Sequence, residues 1–284
     1  MATTAAPAAP TTAVATAAPA LPIAVLPGVH KPSLRPNSSF GICIYGRSGT
    51  GKTTLVGSMP GRGLIIDVPQ AEGGTFVLSD KADRIDVKEI HTWQEIQEVF
   101  WFLKKENHDY KWVAIDSLTA MTELAKRQII KDRELAADPA KITLPEWGQL
   151  NQLTIELVYQ FRTLPIHVIF VAQESVHDTD DKSIPAQIGP DTRTKVVNSL
   201  IPSMLLVGRT SVETKFDGTY EYRFRIGPHP TFMTKVRHKP GLEVPNVLRN
   251  ADLGLLLRYL FGLPNATPPE AVDEMAVFDI LTPA

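Results

Sequence analysis

The sequence predicts an α/β fold with a mostly parallel sheet, helices on both of its faces, and antiparallel strands at its C-terminal edge. Between residues 40 and 172, short apolar runs alternate with stretches of helical spacing. This pattern is typical of parallel strands that helices cover on both sides. From Met204 onward, strand-like runs follow one another and are joined by turns, which favours antiparallel pairing.

The elements follow in order from these patterns. Buried strands are predicted at 40–45, Gly63–Asp67, Trp112–Asp116 and 166–172. Helices are predicted at 53–58, 91–105, 118–137 and 146–163, with Pro145 in a first-turn position. The antiparallel strands are predicted at 204–209, 219–226 and 232–236, with a turn at Asp217-Gly218.

Composition limits the class of protein. A chain of 284 residues with 43% hydrophobic content can bury one substantial core. A net charge of −2 argues against a wholly basic nucleic-acid coat protein but leaves room for a local basic groove. The single cysteine, Cys43, lies in an apolar strand, which excludes a disulfide framework or a zinc site. Because no apolar run reaches membrane-spanning length, we expect a cytoplasmic protein without a membrane partner.

Three segments are predicted along the chain. Residues 1–36 are rich in Ala, Pro and Thr and are expected to form a disordered arm. The apolar island 21–26 within this arm is either a linker or a tether to a neighbouring subunit. Residues 37–263 form the predicted core. Residues 264–284 form a predicted flexible tail that contains four acids and neither Lys nor Arg.

A phosphate-binding loop follows the first predicted strand. The stretch from Gly46 to Thr53 matches G-x-x-x-x-G-K-[ST] in full, between a strand and a helix. Backbone N–H groups of such a loop surround a β-phosphate, the lysine reaches the β- and γ-phosphates, and the hydroxyl ligates Mg²⁺. We therefore predict ATP and Mg²⁺ as cofactors. The nucleotide-contacting residues would be Gly46, Arg47, Ser48, Gly49, Thr50, Gly51, Lys52, Thr53 and Thr54.

Carboxylates at strand ends supply the remaining predicted chemistry. Asp116 ends an apolar strand and is expected to hold Mg²⁺ together with Thr53, although an acid at this place can also cap a helix. Glu72 follows the second strand beside two glycines and is the favoured base for the attacking water. Asp67, at the strand end itself, is the rival candidate.

Gln173 directly follows the strand at 166–172. An amide there can hydrogen-bond a γ-phosphate and lose that bond after hydrolysis, which would convert the nucleotide state into movement. The stretch 174–196 is polar and long for a connection, so we expect a functional loop. Its mixed charge weakens any inference of DNA binding from this loop alone.

Basic residues alternate near the end of the predicted sheet. Lys235, Arg237 and Lys239 would lie on one face of a strand end. They are either solvated charges or cations that reach a phosphate, in their own site or across a subunit boundary.

Together, the phosphate loop, the acid after the second strand, Asp116, Gln173 and the basic strand end resemble the core of RecA-like P-loop NTPases. More narrowly, the chain resembles phage-encoded RecA-like ATPases that consist of a core alone, within a broader phage AAA-type family. This resemblance implies an ATPase that binds single-stranded DNA, acts in annealing or recombination, and assembles into a ring or filament. It also implies a host-cytoplasmic location and a single-strand-binding protein as a further partner.

The resemblance also implies residue roles. Glu72 would be the catalytic glutamate and Gln173 the allosteric switch, with DNA-contacting loops near 138–145 and 174–196. The three alternating cations would approach the ATP of the adjacent subunit. Two departures stand out: Glu72 lies further beyond its strand than in the RecA pattern, and the extra DNA-binding domain of larger recombinases is absent from the sequence.

Two other functions fit the same motifs. The first is a P-loop regulator or motor that acts on a protein partner, which the mixed-charge loop and acidic tail suit. The second is a nucleotide-binding scaffold with negligible turnover. A small-molecule kinase fits less well, because no separate acceptor-binding lid is recognisable between the motifs.

Overall fold

The protein is described by a computed structural model that covers residues 39–68, 74–133, 142–178 and 185–272. Its strands are β1 (Gly41–Gly46), β2 (Gly63–Asp67), β3 (Ile85–Glu89), β4 (Trp112–Asp116), β5 (His167–Ala172), β6 (Glu174–His177), β7 (Gln187–Pro190), β8 (Leu206–Thr214), β9 (Tyr220–Arg225), β10 (Lys235–Val236) and β11 (Val247–Arg249). Its α-helices are α1 (Lys52–Val56), α2 (Trp93–Lys105), α3 (Leu118–Lys131), α4 (Leu144–Arg162), α5 (Thr194–Ser203) and α6 (Leu253–Leu260), and a 3₁₀ segment spans Gly74–Lys81.

The main sheet has the strand order β11-β9-β8-β1-β5-β4-β2-β3. All neighbours from β8 to β3 are parallel. Strands β9, β10 and β11 extend the sheet by antiparallel pairing at the β8 side. The predicted architecture is therefore confirmed: a mostly parallel sheet flanked by helices, with antiparallel strands at one edge.

Helices cover the central strands on both faces, which explains their continuous apolar sequences. Every residue of β1 and of β2 is buried. Apolar side chains of α2, α3, α4 and α5 pack on one face of the sheet, and those of α1 and α6 pack on the other. With both faces covered, the carboxyl ends of the strands are the places where polar side chains can meet.

Local sequence signals account for the starts of the long helices. Ser117 caps α3, where its Oγ accepts a hydrogen bond from the Ala120 N–H. At α4, Thr143 and Glu146 form a capping box, and Pro145 lies in the first turn as predicted. The end of α3 at Lys131 falls six residues before the predicted end at 137, and residues 134–141 lie outside the described part of the chain.

The prediction of one long loop at 174–196 is wrong for the part of this range that the structure describes. Strands β6 and β7 pair there as an antiparallel hairpin, and α5 begins at Thr194. Residues 179–184 lie outside the described ranges. The buried His177 fixes the base of the hairpin, because its Nε2 lies 3.0 Å from the Pro190 carbonyl oxygen. The segment that directly follows Gln173 is therefore a β-hairpin that leads into a helix.

The chain ends are described in part. The predicted arm 1–36 lies outside the described residues. In the predicted tail, Ala271 pairs antiparallel with Leu248, so residues up to Val272 lie against the edge of the sheet. Within the described ranges, none of the helices has the length and hydrophobicity needed to span a bilayer.

Candidate nucleotide-binding site

The phosphate loop, residues 46–53, lies between the end of β1 and the start of α1. Its glycines meet two different steric demands. Gly51 precedes α1 with φ 82°, in the left-handed region that favours glycine. At Gly46, an added Cβ would lie 2.5 Å from the Thr210 carbonyl oxygen. The loop backbone therefore depends on glycine at both places, and it leads directly into the first turn of α1, the end of a helix that favours an anion.

Lys52 lies beneath this loop and is buried. Its Nζ donates to the carbonyl oxygens of Gly46 (3.0 Å) and Arg47 (2.7 Å) and to Gln173 Oε1 (3.4 Å). The ammonium is thus held at the loop by carbonyl dipoles, where phosphate oxygens can take the place of these acceptors. The same contacts bring two predicted residues, Lys52 and Gln173, together.

Thr53 and Asp116 form the predicted Mg²⁺ pair. Thr53 Oγ1 donates to Asp116 Oδ2 at 2.8 Å. Burial raises the pKa of Asp116, and the hydrogen bond from Thr53 and the charge of Lys52 oppose this rise. In the described ranges no group of three or more His, Cys, Asp or Glu could hold a metal ion. A hydroxyl and a carboxylate beside a phosphate site suit Mg²⁺, which takes its other ligands from phosphates and water.

Asp67 is the second carboxylate of the site. It ends β2 and lies opposite Asp116 in the parallel pairing, and its Oδ2 accepts from Thr75 Oγ1 at 3.1 Å. Burial raises the pKa of Asp67; the Thr75 bond lowers it, and the charge of Asp116 raises it further. Glu72 falls in 69–73, outside the described residues. The choice between Glu72 and Asp67 as base stays a prediction.

These groups line a cavity of about 670 Å³, a size in the range of small-molecule sites. Its far wall comes from residues that sequence reasoning missed: Tyr222, Arg223, Asn250 and Ala251. The Tyr222 ring packs against the phosphate loop, because a Cβ added at Gly51 would lie 3.1 Å from it. The Asn250 N–H donates to the Tyr222 carbonyl oxygen at 2.9 Å. An aromatic ring and an amide beside the phosphate site suit a nucleoside.

Gln173 connects the phosphate site to the root of the β6–β7 hairpin. Its backbone N–H donates to Thr119 Oγ1 (3.2 Å), and its carbonyl oxygen accepts from the Asp191 N–H (2.7 Å). The next residue, Glu174, pairs with Arg47 of the phosphate loop (3.0 Å) and with Arg209 of β8 (2.8 Å). Loop and hairpin therefore share side-chain contacts.

The structure does not bring the three alternating cations to this site. β10 pairs with the amino end of β8, at Leu206 and Val207, whereas the phosphate loop follows the carboxyl end of the parallel strand β1. Lys235 Nζ donates to the carbonyl oxygens of Ile201 and Pro202, both at 2.9 Å. Burial lowers the pKa of Lys235, and nearby Arg237 lowers it further.

A role of these cations in their own nucleotide site is therefore not supported. β10 contains two residues, so the expected strand at 232–236 is shorter than predicted. Contact of Lys235, Arg237 or Lys239 with the nucleotide of an adjacent subunit stays a prediction.

Comparison with known proteins gives the family. No curated protein matches the chain. Among solved structures, a KaiC-like protein from the hyperthermophilic archaeon Pyrococcus horikoshii is similar with 12% identity and a TM-score of 0.38, over 66% of this chain and 77% of that chain. A family model described as an AAA domain matches residues 39–238. This match includes the phosphate loop, Asp116 and Gln173, and the chain belongs to the AAA domain family, with a P-loop ATPase fold.

Proposed function

We propose that this protein is a Mg²⁺-dependent ATPase that binds single-stranded DNA, assembles with copies of itself, and acts in phage-type annealing or recombination. One observation carries the coupling in this proposal. Lys52 of the phosphate loop contacts Gln173, and Gln173 is bonded at its backbone to both α3 and the end of the β6–β7 hairpin. A phosphate that draws Lys52 or Gln173 toward itself would pull on the segment that follows β5.

The roles of the nucleotide-site residues follow from their positions. Lys52 would bind the β- and γ-phosphates and offset the charge that develops during transfer. Thr53 and Asp116 would hold Mg²⁺, which would supply charge neutralisation at the γ-phosphate. Asp67 or Glu72 would take the proton of the attacking water. Gln173 would hydrogen-bond the γ-phosphate and lose this partner after hydrolysis.

Gln173 is connected through Asp191 and Arg193 to Trp147, an aromatic side chain that could bind nucleic acid. Asp191, which is bonded to Gln173, is two residues before Arg193 at the start of α5. The Arg193 guanidinium lies 4.3 Å from the centre of the Trp147 ring, and Lys126 Nζ lies 6.0 Å from it. Trp147 is half-buried near the start of α4. Both cations lie over this ring. A base that took the place of Arg193 could stack on the ring, while Arg193 and Lys126 bound the adjacent phosphates.

The Trp147 site would suit single-stranded DNA better than a duplex. Stacking on a side chain requires unpaired bases, and every base offers a face for it, so binding would show little sequence preference. The overall charge of −2 means that attraction to DNA must come from local clusters such as this one. A protein partner at the hairpin is the alternative, which the exposed Val176 on β6 favours.

Replacing Trp147 by alanine is expected to weaken binding of a fluorescent single-stranded oligonucleotide about 5- to 150-fold, since loss of one stacked base costs about 1–3 kcal/mol. Trp147→Phe should recover most of the affinity. Arg193→Gln should also reduce the slope of affinity against salt concentration, because it removes a phosphate contact. The measurement is fluorescence anisotropy at two salt concentrations.

Trp101→Ala is the matched control. Trp101 is also partly exposed, and Lys105 Nζ lies 4.5 Å from its ring, but it is on α2. This control should bind DNA as the unmodified protein does. If the unmodified protein binds no single-stranded DNA, the DNA proposal fails and the protein-partner alternative takes its place. If both tryptophan variants lose affinity equally, Trp147 is not the specific stacking site.

A further inference from the structure

A basic cluster lies at the amino end of the parallel sheet, opposite the end that carries the phosphate loop. We define the amino-end cluster as Lys235, Arg237, His238 and Lys239. Arg237, His238 and Lys239 are exposed, and Lys235 is half-buried. Backbone bonds fix the position of the cluster, since the Arg237 N–H donates to the Leu205 carbonyl oxygen and the Lys239 N–H to that of Leu260. In the described part of the chain, no acidic side chain forms an ion pair with these four residues.

The C-terminal stretch of the described chain runs toward this cluster. Ala271 pairs antiparallel with Leu248 of β11. β11 is antiparallel to β9, β9 is antiparallel to β8, and β8 is parallel to β1. The stretch ending at Val272 therefore runs opposite to β1, toward the amino end of the parallel strands, which is where the amino-end cluster lies.

Val272, at the end of the described chain, is close to Lys235 of the amino-end cluster. The Val272 N–H donates to the Val247 carbonyl oxygen, and Val247 lies level with Arg225 and Arg209 in the sheet. Lys235 lies level with Val207, two residues further toward the amino end, and β10 follows the line of β9, two strands from the Val272 stretch. With strands about 4.8 Å apart and about 3.3 Å per residue, the backbone of Val272 is roughly 12 Å from that of Lys235.

The sequence beyond Val272 has the charge that the cluster lacks. Residues 273–284 contain three acids, Asp273, Glu274 and Asp279, and no Lys, Arg or His. Four apolar residues, including Val277 and Phe278, separate Glu274 from Asp279. Twelve residues reach up to about 40 Å when extended, several times the distance to the cluster. The same chain can therefore supply the anionic partner.

We propose that residues 273–284 bind the amino-end cluster of their own chain and shield it from other polyanions. Each exposed ion pair is weak by itself, but attachment at Val272 keeps the acids at a high effective concentration beside the cluster. Salt would weaken this contact, because the charges are exposed. The segment and any anionic ligand, whether nucleic acid or the nucleotide of a neighbouring copy, would compete for the same cations.

The test uses the full chain and heparin as the polyanion. The variant Asp273→Asn/Glu274→Gln/Asp279→Asn is expected to bind heparin about tenfold more tightly at low salt than the unmodified chain. The gain should disappear when Arg237→Gln and Lys239→Gln are added. It should persist when Lys104→Gln and Lys105→Gln are added instead, a basic pair of equal charge at the end of α2.

A second readout locates the contact. A carbodiimide, which joins amines to adjacent carboxylates, should link Lys239 to Asp273 or Glu274 within single chains at low protein concentration. The proposal would be overturned if Asp273→Asn/Glu274→Gln/Asp279→Asn left the heparin affinity unchanged. It would also be overturned if the gain in affinity survived the addition of Arg237→Gln/Lys239→Gln. Cross-links found between two chains would assign the acidic segment to a neighbouring copy instead. Heparin binding needs no nucleotide, so these outcomes do not depend on the ATPase proposal.

Discussion

Lys52→Ala is expected to reduce ATP hydrolysis at least a hundredfold and to weaken nucleotide binding. The ammonium is the cation held at the phosphate loop, where its Nζ contacts two loop carbonyl oxygens and Gln173. Removing a preorganised charge from a phosphoryl-transfer site typically costs a factor of 10² to 10³ in turnover. The measurement is phosphate release with saturating Mg²⁺, together with titration of a fluorescent ATP analogue.

Lys104→Ala is the control for loss of a lysine, because Lys104 is exposed at the C-terminal end of α2. It should hydrolyse ATP at the unmodified rate, and both variants should melt within a few degrees of the unmodified protein. Turnover by Lys52→Ala at more than a tenth of the unmodified rate would contradict the assignment of the site.

Asp116→Asn is expected to change activity and stability in opposite directions. The amide is a poor Mg²⁺ ligand, so hydrolysis should fall about a hundredfold or more. In the nucleotide-free protein, however, burial raises the pKa of the Asp116 carboxyl, which means that its charge opposes folding at neutral pH. Asparagine can still accept the Thr53 hydrogen bond. Its melting temperature without nucleotide should therefore rise by about 2–4 °C for each kcal/mol gained.

The pH dependence follows from the sign of this shift. Asp67 and Asp116 both have pKa values raised in the folded state. Their full contribution to stability is present below the pKa of an unfolded aspartate, and it is lost as pH rises through that value toward the raised ones. The difference in melting temperature between Asp116→Asn and the unmodified protein should thus grow as pH rises above about 4. An equal difference at all pH values, or a less stable variant at neutral pH, would contradict the burial of an opposed charge.

Sequence patterns predicted the centre of the sheet better than its edges. The predicted bounds of β2 and β4 agree with the structure to the residue, because both strands are buried on two faces and end in an aspartate. β3 was missed because Ile85 is its one buried residue, which leaves a polar sequence at the sheet edge. Its position beside β2 depends on tertiary packing rather than on its own hydrophobicity.

The nucleotide site was predictable where its residues are adjacent in sequence. The phosphate loop carries its own signal, and strand ends predicted Asp67, Asp116 and Gln173 near one another. Tyr222 and Asn250 carry no such signal, since they reach the loop through β8 and β9, about 170 to 200 residues later in the chain. The alternating Tyr220, Tyr222 and Phe224 could have indicated one face of β9, but not the cavity that this face meets.

The alternating spacing of Lys235, Arg237 and Lys239 did not predict where these cations lie. The spacing of Lys235, Arg237 and Lys239 assumes an extended strand, and β10 ends at Val236. A local sequence pattern does not indicate at which end of the sheet a strand will pair. The pairing of β10 with Leu206 and Val207 decides this, and it places the cations away from the phosphate loop.

We infer that Gln173 couples nucleotide hydrolysis to the binding of single-stranded DNA. The most direct test measures Mg²⁺-dependent ATP hydrolysis with and without single-stranded DNA, with Lys52→Ala as the blank and Gln173→Asn as the coupling variant. We predict that DNA stimulates hydrolysis severalfold in the unmodified protein and that Gln173→Asn loses this ratio. A hydrolysis rate in the unmodified protein that is indifferent to DNA would contradict the coupling and direct the search to a protein partner.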